Sequence, residues 1–289
     1  MQEKQQNTRD WFANGCLVAF PAAGGRKIRR LDGFYRPGPN KKVPLIVFVH
    51  GMGSNFYRSF LKKAFIEAAS ALGLGLLTFN NRGADQGTEN EIFSNCLQDL
   101  DAAAAFIRRQ GYRRMVFIGH STGCQKIVYW HARRQNPAVA GLVLLAPADD
   151  YAVMRRDLGS RFDPKVAWAR EKVACGRGGT PVQGLYERFS AKRFLSLVDN
   201  RAVEANVFRY DGSLTQFRRV KVPLLAVFGE KEEFAAVPPA DMLATLRQRT
   251  KSRDFTDMLV PRANHSFKHC ENELALTVCE WVREAPQCD

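Results

Sequence analysis

The sequence predicts an α/β fold in which a mostly parallel central sheet is flanked by helices and carries an inserted helical lid. Short apolar runs alternate with helical patterns along most of the 289 residues, as in parallel sheets whose strands are joined by helical crossovers. Residues 151–221 interrupt this alternation with helix-like patches and no strong strand. The composition, 45% hydrophobic and 25% charged, is that of a globular chain and excludes a disordered one.

The central strands are predicted from continuous apolar runs, because a strand covered on both faces of a sheet has no side that faces solvent. Five such runs occur, at residues 44–49, 74–79, 114–118, 141–146 and 223–228. Residues 254–260 are predicted to form the last strand. Two earlier strands, at residues 16–20 and 31–35, follow each other without a helix between them. We therefore expect those two to form an antiparallel edge of the sheet.

Helices are predicted between and after these strands from the helical spacing of their apolar residues. They lie at residues 60–72, 96–110, 122–134, 241–249 and 271–283. Residues 151–221 are too many for a simple connection inside a compact domain. The predicted organisation is therefore a catalytic core of residues 1–150 and 222–289, with residues 151–221 inserted as a helical lid.

Membrane spans and cysteine-based sites are not expected. The longest apolar stretches fall well short of the roughly 18–20 residues that a transmembrane helix needs, and a secretory leader is not indicated. The seven cysteines are scattered without a CxxC pair, which favours reduced thiols over a disulfide framework or a zinc site. We expect a cytoplasmic protein with no metal and no cofactor.

A candidate nucleophile lies where the predicted strand 114–118 runs into a helix. The residues there are Gly119-His120-Ser121-Thr122-Gly123, a G-x-S-x-G pattern between a strand and a helix. A sharp turn of this kind exposes the serine hydroxyl, and the flanking glycines avoid clashes with neighbouring chain. The N-terminus of the following helix offers free N–H groups to a developing oxyanion. Ser121 is therefore the predicted nucleophile.

A second loop, His50-Gly51-Met52-Gly53-Ser54, follows the predicted strand 44–49. In this architecture that loop supplies one oxyanion-hole N–H, and the residue after the nucleophile supplies the other. We assign these donors to the backbone of Met52 and Thr122. His50 is expected to hold the loop in place and not to act as a base.

The base and the acid are predicted from chain order, since the nucleophile should come first, the acid second and the histidine last. His265 follows the predicted last strand, and it is the expected base. The acid should follow strand 223–228, where Glu232 is chosen by register from three neighbouring glutamates, and it would orient the imidazole. The alternatives that stay open are Glu230, Glu233, Asp149 and Asp150.

The order Ser121, Glu232, His265, with His-Gly-Met-Gly upstream, resembles the α/β-hydrolase fold over nearly the whole chain. Three segments, GHSTGCQKIVYW (119–130), AREKVACGRGG (169–179) and AKRFLSLVD (191–199), are similar to a family of α/β hydrolases that includes a fungal siderophore esterase cleaving fusarinine C. The resemblance implies an esterase with the same serine-bearing turn, at residues 119–123, and the same lid segments. Members of that family usually have aspartate where this chain has Glu232.

These residues predict a serine hydrolase that cleaves a small-molecule carboxylic ester through an acyl-enzyme on Ser121, with His265 as general base. An acyltransferase with the same triad, or a binding protein on a hydrolase scaffold, are the alternatives, because fold alone does not determine function. Nothing in the sequence indicates an oligomeric state.

The charge distribution suggests the kind of substrate. The net charge is +14, and residues 151–221 contribute +8 of it. No nucleic-acid motif is present, so nucleic acid is not an expected partner. We hypothesise that basic residues of the lid attract an anionic ester.

Overall fold

The computed structural model describes residues 11–23 and 29–284. Within them the chain forms eight strands and eight α-helices. The strands are β1 (Cys16–Ala22), β2 (Arg29–Arg36), β3 (Leu45–Val49), β4 (Leu76–Phe79), β5 (Met115–His120), β6 (Val139–Leu145), β7 (Leu224–Lys231) and β8 (Phe255–Asn264). The helices are α1 (Phe60–Ala71), α2 (Cys96–Arg109), α3 (Thr122–Arg134), α4 (Asp150–Leu158), α5 (Phe162–Ala174), α6 (Ala191–Val198), α7 (Pro239–Arg249) and α8 (Glu271–Glu284).

All eight strands join in one sheet, in the order β1-β2-β4-β3-β5-β6-β7-β8. Every pairing from β4 to β8 is parallel, whereas β1 pairs with β2, and β2 with β4, in the antiparallel sense. The predicted mostly parallel sheet and its antiparallel edge are both confirmed. Every residue of β3 and β6 is buried, which explains why continuous apolar runs marked these strands.

The last two strands extend beyond the predicted ends, and this extension positions the candidate site. β7 continues to Lys231 and β8 to Asn264, and these two residues are partners in the parallel ladder. The register between the strands shifts from Gly229 to Lys231, as at a β-bulge. The residues that follow the two partners, Glu232 and His265, therefore leave the sheet side by side.

The helical insertion between β6 and β7 has a hydrophobic core of its own. Its buried residues come from α4, α5, α6 and the loop before α6, and run from Met154 to Val198. Apolar residues between Val207 and Val220 pack instead into the core around the sheet. A helical insertion at residues 150–198 is thus present, and the boundary of the lid at residue 221 stays a prediction from the sequence.

Candidate active site

Ser121 occupies the sharp turn between β5 and α3. Its backbone has φ 55° and ψ −129°, a strained conformation for a residue with a side chain. The Ser121 amide donates a 2.9 Å hydrogen bond to the carbonyl oxygen of Leu145 on β6. A methyl group on Gly123 would lie within 3.0 Å of the Val49 carbonyl oxygen, and one on Gly119 would lie 2.6 Å from the Cys124 nitrogen. Only glycine therefore fits on either side of this turn.

His265 and Glu232 form a buried pair at the ends of β8 and β7. The His265 Nδ1–H donates to Glu232 Oε1 at 2.6 Å, and the same oxygen accepts the Phe234 amide at 3.0 Å. The Glu232 side chain is 0% exposed and that of His265 is 10% exposed. The short bond holds the imidazole with Nε2 free to face outward, because Nδ1 is occupied.

The neighbouring glutamates contact the backbone instead. Glu233 Oε2 accepts the His265 amide, and Glu230 Oε2 accepts the Arg262 amide, each at 2.7 Å. These two carboxylates hold the loop around the histidine, whereas Glu232 alone among the three is bonded to the ring.

The two aspartates that remained as alternatives lie at the start of α4. Asp149 caps this helix by accepting the Ala152 amide, and Asp150 accepts a hydrogen bond from Gln125 Nε2 at 2.8 Å. Burial raises the pKa of Asp149 to about 6 and the pKa of Asp150 to about 8. Neither is bonded to His265.

A cavity of about 260 Å³ brings Ser121 and His265 together, since both line its wall. Within the described residues the Ser121 hydroxyl makes no hydrogen bond, so a direct bond to the imidazole is not formed in this state. Such bonds are often long in unliganded enzymes and shorten when substrate binds. A methyl group on Gly51 would lie 3.3 Å from Ser121 Oγ and 2.8 Å from its Cβ. The absence of a side chain at Gly51 thus leaves room beside the hydroxyl.

The loop after β3 is held by His50, as the sequence predicted. His50 is fully buried; its Nε2 accepts the Asn81 amide at 3.2 Å, and its carbonyl accepts Asn81 Nδ2 at 3.2 Å. Burial lowers the pKa of His50 well below its usual value, so the ring stays neutral. Met52 follows in the loop and lines the cavity, and Thr122 is buried at the first position of α3.

His120 has a structural role that the sequence did not predict. Its Nε2–H donates to the His265 carbonyl oxygen at 2.9 Å, and burial lowers the pKa of His120 to about 3. A neutral ring next to Ser121 therefore fixes the backbone of the histidine loop. Nothing in the pattern G-x-S-x-G could reveal this, because the two residues are far apart in sequence.

A buried ion network joins the helical insertion to the core. Arg193 on α6 pairs with Glu204 through its two terminal guanidinium nitrogens, and its Nη2 lies 3.4 Å from Glu91 Oε2. Glu91 also pairs with Lys126 on α3 at 2.6 Å, and Lys126 donates to Asn81 Oδ1 at 3.0 Å. Because Asn81 holds His50, the network reaches from the insertion to the loop beside Ser121.

The lysine in the cavity wall comes from the core of the protein and not from the helical insertion. None of the arginines and lysines of the helical insertion that the structure describes lines the cavity. Besides His120, His265 and Tyr186, its ionisable wall residues are Lys62 from α1, Asp150 from α4 and Glu187. The described residues contain no group of three or more His, Cys, Asp or Glu side chains arranged to hold a metal ion. None of their helices has the length and hydropathy needed to cross a bilayer.

Comparison with models of known protein families identifies the family of this chain. Residues 34–285 match the model of a family described as "Protein of unknown function (DUF1749)". The chain belongs to DUF1749. No curated protein sequence matches this DUF1749 chain significantly.

Solved structures similar to this DUF1749 protein include known hydrolases. The siderophore hydrolase EstB from Aspergillus fumigatus matches with a TM-score of 0.68 and 18% identity, covering 95% of this chain and 99% of that one. Est1E from Butyrivibrio proteoclasticus matches with a TM-score of 0.66 and 17% identity, covering 92% and 98%. The α/β hydrolase domain-containing protein 10 from mouse matches with a TM-score of 0.64 and 16% identity, covering 94% and 100%. The predicted α/β-hydrolase fold is confirmed.

Proposed function

We propose that this protein is a serine hydrolase that cleaves a carboxylic ester through an acyl-enzyme on Ser121. The observation that carries the proposal is the strained turn of Ser121, which lines the same cavity as His265, the imidazole bonded to buried Glu232. A serine hydroxyl that substrate can reach and an oriented imidazole are what acyl transfer requires. EstB is a siderophore hydrolase, and Est1E was solved with ferulic acid bound, which makes an ester the class of substrate to test first.

In the proposed reaction His265 Nε2 takes the proton of Ser121 Oγ as the oxygen attacks the ester carbonyl. The carbonyl oxygen gains negative charge and is stabilised by the backbone N–H groups of Met52 and Thr122. His265 then returns the proton to the departing alcohol, and an acyl-Ser121 intermediate remains. The same histidine then takes a proton from a water molecule as the water oxygen attacks the acyl carbon. The bond from that carbon to Ser121 Oγ breaks, the oxygen takes the proton back from His265, and the acid is released. Glu232 holds the imidazole tautomer and stabilises the imidazolium.

Activity-based labelling tests the nucleophile. We expect a fluorophosphonate probe to label the native protein at Ser121 and the native protein to hydrolyse p-nitrophenyl butyrate. The variant Ser121→Ala should lose both properties, because no other group forms the acyl-enzyme.

Ser266→Ala is the matched control, since Ser266 lines the same cavity but lies on the exposed loop after His265. This variant should keep the labelling and the turnover. Full hydrolysis by folded Ser121→Ala would refute the mechanism. A folded native protein that is not labelled would favour a binding function on a hydrolase scaffold.

A further inference from the structure

Lys62 is a buried ammonium in the wall of the cavity that contains Ser121. It is the third residue of α1, it is 2% exposed, and its side chain lines the cavity. Its Nζ donates a 2.9 Å hydrogen bond to the hydroxyl of Ser54, in the loop after β3. The charge of Lys62 also contributes to lowering the pKa of His120, next to the nucleophile, after burial and His265. The ammonium therefore acts within the candidate active site.

Lys62 differs from the other buried cations that the structure describes. Lys126 pairs with Glu91, and Arg193 pairs with Glu204 and Glu91. Lys62 has no carboxylate within ion-pair distance among the described residues. Its Nζ lies 5.9 Å from the centroid of the Phe48 ring, and the Ser54 hydroxyl uses one of its three N–H donors. A buried charge is costly unless it is paired and hydrogen-bonded. The fold thus keeps, at the cavity, a buried ammonium that has no carboxylate partner.

The acidic groups of the same cavity do not cancel this charge. Burial raises the pKa of Asp150 to about 8, so at neutral pH this group carries a proton and is uncharged. Glu187 is exposed to solvent, where its field is weakened by water and salt. Burial lowers the pKa of Lys62 only to about 8, which leaves it mostly protonated at pH 7. The buried wall is therefore positive when substrate enters.

We propose that Lys62 is the subsite for an anionic oxygen group of the substrate, so that the preferred ester carries a carboxylate in its acyl or alcohol part. This inference rests on the proposed hydrolase function. A substrate carboxylate would complete the coordination of the ammonium with a charge-assisted hydrogen bond in a poorly solvated place, where such bonds are strongest. This subsite on α1 is separate from the hypothesised attraction of anions by the basic residues of the helical insertion.

Matched ester pairs test the proposal. On the acyl side, the p-nitrophenyl hemiesters of adipic and pimelic acid are compared with the same compounds capped as methyl esters. On the alcohol side, 4-carboxyphenyl butyrate is compared with its methyl ester. We expect the native protein to prefer the carboxylate of at least one pair by about tenfold or more in kcat/KM, corrected for the enzyme-free rate.

The variants are Lys62→Met, which keeps the length of the side chain without charge, and Lys63→Met. Lys63 is the control because it is the next residue of α1 and carries the same charge but does not line the cavity. Lys62→Met should reduce the carboxylate preference, measured as the ratio of kcat/KM within each ester pair, to about one, and Lys63→Met should keep the native preference. Lys62→Gln serves as a second variant if Lys62→Met does not fold.

Three outcomes would overturn the subsite. The native protein could show no preference in any pair. Lys62→Met could keep the native preference. Lys62→Met could also lose activity equally on charged and neutral esters, which would mean that Lys62 only holds Ser54 and the loop. Failure of the hydrolase proposal itself would be distinguished by absent fluorophosphonate labelling of the native protein.

Discussion

Replacing Glu232 by glutamine tests the acid of the proposed triad. The amide can still accept from the Phe234 amide and the His265 ring through its oxygen, as Glu232 Oε1 does at 3.0 and 2.6 Å. The shape of the site should therefore survive. What disappears is the negative charge that would stabilise His265 when it becomes protonated in the transition state.

The size of the loss follows from the geometry. With a 2.6 Å bond between Nδ1 and Oε1, the centres of the two charges lie about 4 Å apart, and at an effective dielectric constant of about 20 their attraction is about 4 kcal/mol. Because each 1.36 kcal/mol changes a rate tenfold, we expect Glu232→Gln to lower kcat/KM about a thousandfold. Measurement uses p-nitrophenyl butyrate at pH 7, with circular dichroism to verify folding.

Glu233→Gln and Glu230→Gln are the matched controls. Their carboxylates bind backbone amides of the same loop, an acceptor function that the amide oxygen of glutamine retains, and we expect each to stay within about threefold of the native rate. The reasoning is refuted if folded Glu232→Gln keeps a third of the native activity. It is also refuted if Glu233→Gln loses more activity than Glu232→Gln.

Urea unfolding of three variants, one of them a control, tests the packing and the ion pairing around the site. Gly123→Ala should destabilise the protein by about 3 kcal/mol or more, because its methyl group would overlap the Val49 carbonyl oxygen. Gly179→Ala should stay within about 0.5 kcal/mol, because a methyl group there meets nothing within 4 Å, and equal effects of the two would contradict the steric argument. Arg193→Met should cost about 3–5 kcal/mol, since it leaves the buried Glu204 carboxylate without its guanidinium partner. A loss below about 1 kcal/mol, typical of exposed pairs, would mean that this ion pair is not as dry as its burial indicates.

The central sheet and the sharp turn at Ser121 could be predicted because local sequence determines both. A strand buried on both faces must be apolar throughout, and residues 45–49 are. The pattern around Ser121 is also largely local. A side chain at Gly119 would clash with residues 123 and 124, and one at Gly123 would clash with the end of the neighbouring strand β3. Chain order then led to His265, and the structure places it beside Glu232.

The burial of three basic side chains by parts of the chain distant in sequence could not be predicted. Lys62, Lys126 and Arg193 look like surface residues in the sequence, because charged side chains are almost never fully buried unless paired. The partners of Lys126 and Arg193, Glu91 and Glu204, lie on other elements. The charge of residues 151–221 likewise gives no indication of Lys62, the lysine that α1 contributes to the cavity wall.

The insertion of the lid between two adjacent strands has a consequence for protein engineering. β6 and β7 are hydrogen-bonded neighbours, so a chain segment of another length could replace the lid without altering the spacing of the strands. A transplanted lid that lacks Arg193 would, however, leave Glu91 with Lys126 as its single basic partner. A chimera designed to acquire a new specificity should therefore exchange Glu91 together with the lid, treating both as one cassette.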